Sequence, residues 1–392
     1  MPRCQLYFAD LIGVPAVLVT VFGLFLTICI LIKNSPLRRP TLNPNHPADS
    51  LGRLEDLPAD YIADMTALSI APLWPQLRGL LPRGKPSRAT QPFVWHYSDV
   101  RPQLMRAGQL TPIEKAERRV LVLCNPGHGI EKLVATPTIY VGMQLILPGE
   151  VAPNHRHTPS AVRFVVEGEG GFTTVQGEKC PMHKGDLILT PAGLWHEHGH
   201  EGTGPVVWLD ALDLPMVYSM EASYAIEGPS QNASPDLDAS QTKYRRAGLV
   251  PFGSLSQTAR APYPQIRYPW VDVREALNAL DKGTPKDAAV QLAYVNPETG
   301  APCLPTLGFS AQLLRDGADF SPRPRSASSV MHVIEGRGES EIDGVTLKWS
   351  EGDTLAIPTH AHVQHRASNG NAYLFHVDDA PTQRALGFYQ EF

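Results

Sequence analysis

The stretch EGEGGFTTVQGEKCPMHKGDLILTP, Glu167 to Pro191, returns further along the chain as EGRGESEIDGVTLKWSEGDTLAIP, Glu335 to Pro358. Both copies open on Glu-Gly, carry a central glycine (Gly177, Gly344), step through Gly-Asp and close on proline. The second is one residue shorter. Short apolar or alternating runs separated by glycine turns are the pattern of strands joined by hairpins. A unit this long, present twice, indicates duplicated domains and not a solenoid. Each copy is expected to close as a small antiparallel barrel, which hides its own edges. The 37 Pro and 32 Gly in 392 residues fit such an all-β, turn-rich architecture.

Residues 59–227 read as the first barrel with a helical lead-in, 228–285 as a polar connection, and 286–392 as the second barrel. The connection carries one helix near Val273 to Leu280. In the lead-in, Tyr61, Met65, Leu68, Ile70, Leu73, Trp74 and Leu77 suggest a short amphipathic helix and a covering segment. A second helix is predicted from Pro112 to Arg119, with Thr111 as N-cap and Glu114 completing a capping box. Strand character begins at Val120. Residues 34–58, rich in Pro, Asn and Asp, read as a linker.

Before the linker, Leu11 to Ile32 runs 22 residues without a charge, within an N-terminal hydrophobic segment, residues 1–33. A helix of that length spans roughly 30 Å, enough for a bilayer core, so this segment is a candidate transmembrane anchor. Lys33, Arg38 and Arg39 follow it, and the positive-inside rule would leave the bulk of the chain in the cytoplasm. The formal net charge of -5 and the lack of a basic stripe argue against a nucleic-acid partner. Five scattered cysteines, Cys4, Cys29, Cys124, Cys180 and Cys303, form no paired spacing and are expected as reduced thiols.

The chemistry-bearing residues sit at the first copy. His155 and His157 flank Arg156 after the turn Pro148-Gly149; on a strand, i and i+2 point to one face. Downstream, GDLILTPAGLWHEHG brings His196. Two imidazoles from one strand and a third from a later one make a facial set of three nitrogens, leaving open positions on an octahedral metal. His128, His183 and His200 read as solvated loop residues.

Gly149, His155, His157 and Gly168 match the first signature of the cupin superfamily, and Gly185, Pro191, Gly193 and His196 match the second. The glutamate that many cupins use as a fourth ligand would fall at Ala161 or Val162 and is absent; His200 stands where the second signature closes on asparagine. With HRHTPSAVRFVVEGEG, ERRVLVLCNPG, GMQLILPGE and WLDALDLP, most of residues 60–390 resembles the gentisate 1,2-dioxygenase family. That family includes salicylate and 1-hydroxy-2-naphthoate dioxygenases. The resemblance implies a duplicated cupin of jelly-roll barrels with short N-terminal helices. It also implies Fe(II) on His155, His157 and His196, and ring opening of a small hydroxylated aromatic acid with O2. Gentisate to maleylpyruvate is the leading reaction, with salicylate, 1-hydroxy-2-naphthoate or a non-catalytic metal-containing cupin as alternatives. A homo-oligomer is implied as well.

Around the metal, the resemblance gives Arg163 the substrate carboxylate; its even step from His157 would keep it on the inner face of a regular strand. An outer-face ion pair with Glu167 or Glu169 is the rival reading. His198 is placed to bind a hydroxyl or bound oxygen and to act as acid or base, and Asp210 to orient the distal hydroxyl of gentisate. Tyr140, Gly142 and Gln144 share one strand face and line the pocket. Arg119 falls where the family has a substrate-contacting arginine, with neighbouring Arg118 leaving the register open. In the second copy the HRH triplet becomes Arg323, Pro324 and Arg325, and His196 becomes Val363. A metal-free barrel serving packing and oligomer contacts is therefore expected there.

Overall fold

The computed structural model describes residues 51–231, 236–255, 261–286 and 288–392. One compact unit ends at Ser87 and a second runs from Arg88 to Phe392. Leu11–Ile32, the candidate anchor, lies outside the described residues. Among the described residues no helix is long and apolar enough to cross a membrane. The described part of the first unit carries a helix at Ala59–Ala67, where Met65 is buried, and a single turn at Leu77–Leu80.

The strands of the second unit are, in order, β1 (Phe93–Trp95), β2 (Val120–Val122), β3 (Tyr140–Ile146), β4 (Val151–His157), β5 (Ala161–Glu167), β6 (Gly171–Val175), β7 (Glu178–Pro181), β8 (Leu187–Thr190), β9 (His196–His200) and β10 (Val206–Leu212). Three short ones follow, β11 (Ala225–Glu227), β12 (Asp236–Leu237) and β13 (Arg267–Tyr268). The second copy supplies β14 (Val290–Ala293), β15 (Gly308–Leu314), β16 (Asp319–Phe320), β17 (Ser329–Glu335), β18 (Arg337–Ile342), β19 (Val345–Ser350), β20 (Thr354–Ile357), β21 (Val363–Ala367) and β22 (Ala372–Asp378).

These strands form two two-sheet barrels. The first pairs the sheet β13-β8-β5-β10-β3-β2 with β11-β4-β9-β6-β7-β12; the second pairs β1-β20-β17-β22-β15-β14 with β16-β21-β18-β19. The repeated sequence makes the same hairpin twice: Gln176-Gly177 and Asp343-Gly344 both turn at positive φ (49° and 85°, 52° and 82°), the geometry of a tight two-residue connection.

β3, β5 and β10 are buried on both faces, which explains their near-continuous apolar runs. One set of alternate residues, Ile146, Val165 and Trp208 among them, fills the first barrel. The other set, including Met143, Phe164 and Leu209, joins Phe309 and Phe375 of the second barrel in one shared core. Phe164 stacks on Phe375 with centroids 4.2 Å apart.

The two copies also exchange arms. β1 lies ahead of the first barrel in sequence but pairs with β20 of the second, and β13 lies ahead of the second but pairs with β8 of the first. A helix follows each arm, Tyr97–Leu110 and Trp270–Gly283, and starts on the opposite barrel's Gly-Asp step. Asp353 Oδ1 accepts from the Tyr97 amide and Asp186 Oδ1 from the Trp270 amide, both at 2.8 Å. The preceding glycines permit this approach: a Cβ on Gly185 would stand 2.4 Å from the Trp270 ring, and one on Gly352 would stand 2.8 Å from Tyr97. The fifth residue of each helix then binds the glutamate that opens the repeat, Arg101 to Glu167 and Arg274 to Glu335. The repeated Glu-Gly and Gly-Asp steps are docking points for these helices.

Two local expectations change. Thr111 ends the helix Tyr97–Leu110, its amide donating to Ala107, and caps nothing with its side chain. The helix expected over Pro112–Arg119 is one turn, Ile113–Ala116, because the chain reverses at Glu117 (φ 52°) to enter β2 at Val120. The connection 228–285 carries its expected helix, longer than Val273–Leu280, and also supplies β13.

Candidate metal centre

His155 and His157 project from β4, and β9 brings His196 directly opposite His155 in the antiparallel register. Strand alternation aims all three rings into the first barrel. Ring centroids are 4.1 Å apart for His155–His196, 4.8 Å for His157–His196 and 5.3 Å for His155–His157. One nitrogen from each ring lies within 4.8 Å of the others.

Backbone carbonyls hold two of the rings by their other nitrogen and lie near that of the third. His157 Nδ1 donates to Pro159 at 2.7 Å, His196 Nδ1 to Leu194 at 2.9 Å, and His155 Nδ1 lies 3.2 Å from Pro153 O. A proton fixed on Nδ1 leaves the Nε2 lone pair for a metal. His196 Nε2 is buried with no hydrogen-bond partner, as expected of a donor atom whose partner is a cation. Burial first, and then the Arg118 charge, drives His155 down to about 3; burial drives His157 down to about 4. His196 is also pushed well below the ordinary histidine range by burial and then Arg163. All three are neutral imidazoles at physiological pH, and together they can ligate one divalent cation.

Arg163 lies in the same cavity, 3% exposed, but not by an even step along one strand. A turn separates β4 from β5, and the pairing of Arg163 with Asp210 of β10 and Ile188 of β8 places it. Its Nη1 donates to Thr190 Oγ1, and its Nε stands 3.5 Å from Asp210 Oδ1, too far for a good hydrogen bond. The outer-face ion pair with Glu167 or Glu169 does not form: the guanidinium is buried beside Thr190 and Asp210, and Glu167 pairs with Arg101. Asp210 also accepts from Trp208 Nε1 at 3.0 Å. Burial pushes its carboxyl up to about 6 against the pull of Arg163, and burial brings Arg163 down to about 10.

His198, two residues beyond His196, is fully buried. Its Nδ1 meets Thr173 Oγ1 at 2.9 Å, and that hydroxyl points on to Met182 Sδ at 3.7 Å. With that hydroxyl turned to Met182, Nδ1 is the donor to Thr173, and Nε2, which has no partner, carries the lone pair. Gln144 adds a buried amide nitrogen without an acceptor. Gly142 leaves space no side chain could take: a Cβ there would come 2.4 Å from Val120 Cγ1. Tyr140 sits near Asp210, and burial raises its phenol above the ordinary range.

Arg119 is not in the cavity. The register Val120↔Gln144 and Val122↔Gly142 puts even-numbered side chains of β2 and its approach on the pocket face. Arg118 therefore reaches in and its Nη2 meets His155 Nδ1. Arg119 points the other way, where Glu150 takes both guanidinium nitrogens at 2.7 and 2.9 Å. His200, expected in solvent, is buried; its ring accepts from the Gly202 amide and meets the Gly204 carbonyl, closing the turn after β9. The positioning hydroxyls Thr173 and Thr190 carry no signal separable from ordinary strand threonines. Among the described residues, no comparable imidazole set forms in the second barrel.

Residues 142–212 match the Cupin domain family model. A gentisate 1,2-dioxygenase of Ralstonia sp is 52% identical over 342 residues, covering 87% of this chain and 96% of that protein. A 5-aminosalicylate 1,2-dioxygenase of Comamonas sp is 38% identical, covering 84% and 88%. Among solved structures, salicylate 1,2-dioxygenase from Pseudoaminobacter salicylatoxidans with gentisate superimposes at TM-score 0.81 and 32% identity, over 89% of this chain and 97% of that one. With a cupin barrel and a three-histidine cluster inside it, this chain belongs to the gentisate 1,2-dioxygenase family.

Proposed function

We propose that this enzyme opens the ring of gentisate with O2, using ferrous iron held by His155, His157 and His196, to give maleylpyruvate. The observation that carries the metal assignment is the convergence of three neutral imidazoles, with the Nδ1 of His157 and of His196 tied to backbone carbonyls. Ferrous iron bound there would supply a Lewis-acid centre for the ortho carboxylate and hydroxyl of the substrate and for O2. Both atoms of O2 enter the product, so no external reductant is required.

The chain's own groups supply the rest. Arg163 offers a guanidinium to the substrate carboxylate in a cavity where little water screens it. Arg118 contributes a second positive charge. Ligation through His155 Nε2 would put a proton on Nδ1, which then cannot accept from Arg118; that guanidinium, still on the Glu117 and Pro153 carbonyls, offers its remaining N–H to an anion. His198 Nε2 is the acceptor for a substrate hydroxyl proton, its other nitrogen held by Thr173. Asp210, held by Trp208, faces the distal hydroxyl. Gln144 and the space at Gly142 fit the ring edge, beside Tyr140.

Separate substitutions of the paired arginines test this assignment. Arg118→Ala is expected to lower kcat/KM for gentisate by roughly 10- to 100-fold, the loss of a hydrogen bond to a charged group, with little change in melting temperature. Arg119→Ala is expected to do the reverse, lowering stability by about 3 kcal/mol or more through the unpaired, partly buried Glu150. Steady-state kinetics and thermal melts on both variants check it; equal kinetic effects would return Arg119 to the site.

The activity itself is tested by anaerobic Fe(II) loading of the full chain, then gentisate in air. Oxygen uptake and a ring-opened product absorbing in the near ultraviolet are expected. Turnover only of salicylate or 1-hydroxy-2-naphthoate would keep the mechanism and change the substrate. No turnover of any of the three by iron-loaded protein would overturn the reading.

A further inference from the structure

The second barrel holds a cavity of about 290 Å3 where the first holds its imidazoles. Its strand register is the same. Ser310 pairs with His376 as Gly142 pairs with Asp210, and Gln312 with Leu374 as Gln144 with Trp208. Gln312 therefore stands where Gln144 stands, and His376 where Asp210 stands. His365 replaces His198 and keeps a hydroxyl on its Nδ1, Ser340 at 2.7 Å. The ligand positions themselves are Arg323, Arg325 and Val363, and both arginines line the cavity. Where the first barrel gathers three neutral imidazoles around a cation site, the second places fixed positive charge.

The cavity's polar groups call for an acceptor. Gln312 is 1% exposed, its Oε1 is paired with His376 Nε2 at 3.0 Å, and its Nε2 has no partner. Buried amide nitrogens are almost always satisfied. The same orphan amide in the first barrel, that of Gln144, faces the proposed substrate pocket. Arg325 donates to Asp378 at 2.8 Å, whereas Arg323 at the mouth has no acidic partner among the described residues. Burial holds His365 down at about 4 and His376 at about 3, so neither adds charge. Glu391 also lines the cavity and accepts from the Tyr389 hydroxyl. The volume, near the lower end of the ~300–1,000 Å3 typical of ligand pockets, suits a molecule of one small ring or a short chain.

We propose that the cavity of the second barrel binds a small organic carboxylate, its anionic end on Arg323 and a second oxygen on the Gln312 amide. The site is separate from the metal centre, and its occupancy does not depend on ring cleavage.

Calorimetric titration of the full chain under argon with benzoate, succinate and gentisate tests it, with inorganic phosphate as a further arm. At least one carboxylate is expected to show a saturable component that weakens ten-fold or more in Arg323→Gln and in Gln312→Leu, but not in Arg163→Met. Arg323 is exposed, so its substitution keeps the test decisive even where Gln312→Leu does not fold. Two results would overturn the proposal: no component sensitive to Arg323, or phosphate bound as tightly as the carboxylates. Because O2 is excluded, neither result bears on whether the first barrel turns gentisate over.

Discussion

His196→Ala is expected to abolish iron retention and gentisate turnover together while the barrel stays folded. His196 is fully buried, and its Nε2 has no partner. Without a metal that nitrogen is a desolvated, unpaired group, which costs about 1–3 kcal/mol. Alanine removes that cost, together with the hydrogen bond to Leu194 and some packing, so the net change in metal-free stability should fall within about 2 kcal/mol. The metal-loaded state is where the variant should differ. A cation that binds only the folded chain adds about 2.7 kcal/mol at a hundred-fold excess over its Kd. Wild-type protein should therefore melt at a higher temperature with anaerobic Fe(II), and the variant should not. Loss of a residue that merely orients a ligand costs about 10- to 100-fold in affinity or activity, so loss of a ligand should exceed about 100-fold. His155→Ala and His157→Ala should behave alike. The checks are metal content after desalting, melting with and without Fe(II), and oxygen uptake. Full iron content with turnover inside ten-fold of wild type would remove His196 from the ligand set.

The three histidines were legible in sequence because their placement needs only local rules. His155 and His157 share a face by strand alternation, and the spacing from Gly185 through Pro191 and Gly193 fixes where β9 begins. The arginine beside them was not legible. Choosing between Arg118 and Arg119 requires the register of β2 on β3, and a one-residue slip moves every side chain to the other face. Arg163 faces inside because it pairs with β10 and β8, and not because of an even count along one continuous strand. The exchanged arms depend on pairings between residues far apart, such as Phe93 with Ala356, which no local pattern encodes. Their docking points were nevertheless visible as the repeated Glu-Gly and Gly-Asp steps. The helix Tyr97–Leu110 has a faint sequence signal, because Pro102 lies within it and Leu104 alone is buried, so its apolar period is weak.

Arg163→Met is expected to lower kcat/KM for gentisate by about 100- to 1,000-fold and to destabilise the enzyme in a pH-dependent way. The kinetic part follows from the loss of charge-assisted hydrogen bonds to the substrate carboxylate. Two such bonds at about 1.5–2 kcal/mol each, the lower part of the range for charged groups, amount to about 3–4 kcal/mol, or roughly 160- to 900-fold at 1.36 kcal/mol per ten-fold. The stability part follows from Asp210, which is left buried without its cation. Breaking a buried ion pair from one side costs about 3–5 kcal/mol. In the wild type the Asp210 carboxyl is already raised to about 6 by burial. A carboxyl whose pKa is higher folded than unfolded favours folding fully below the unfolded value, near 3.8, and that contribution is lost as pH rises through the folded value. For the wild type this loss is complete near pH 6. Without Arg163 the folded pKa rises further, and the loss extends toward neutrality. The double variant Arg163→Met with Asp210→Asn separates the two roles. It carries no buried charge at the pair, so its melting temperature should recover and its Asp210-linked pH dependence should vanish. Gentisate turnover should stay low, because the carboxylate still lacks its guanidinium. Recovery of turnover along with stability would mean that Arg163 only neutralises Asp210, and would pass the substrate carboxylate to Arg118.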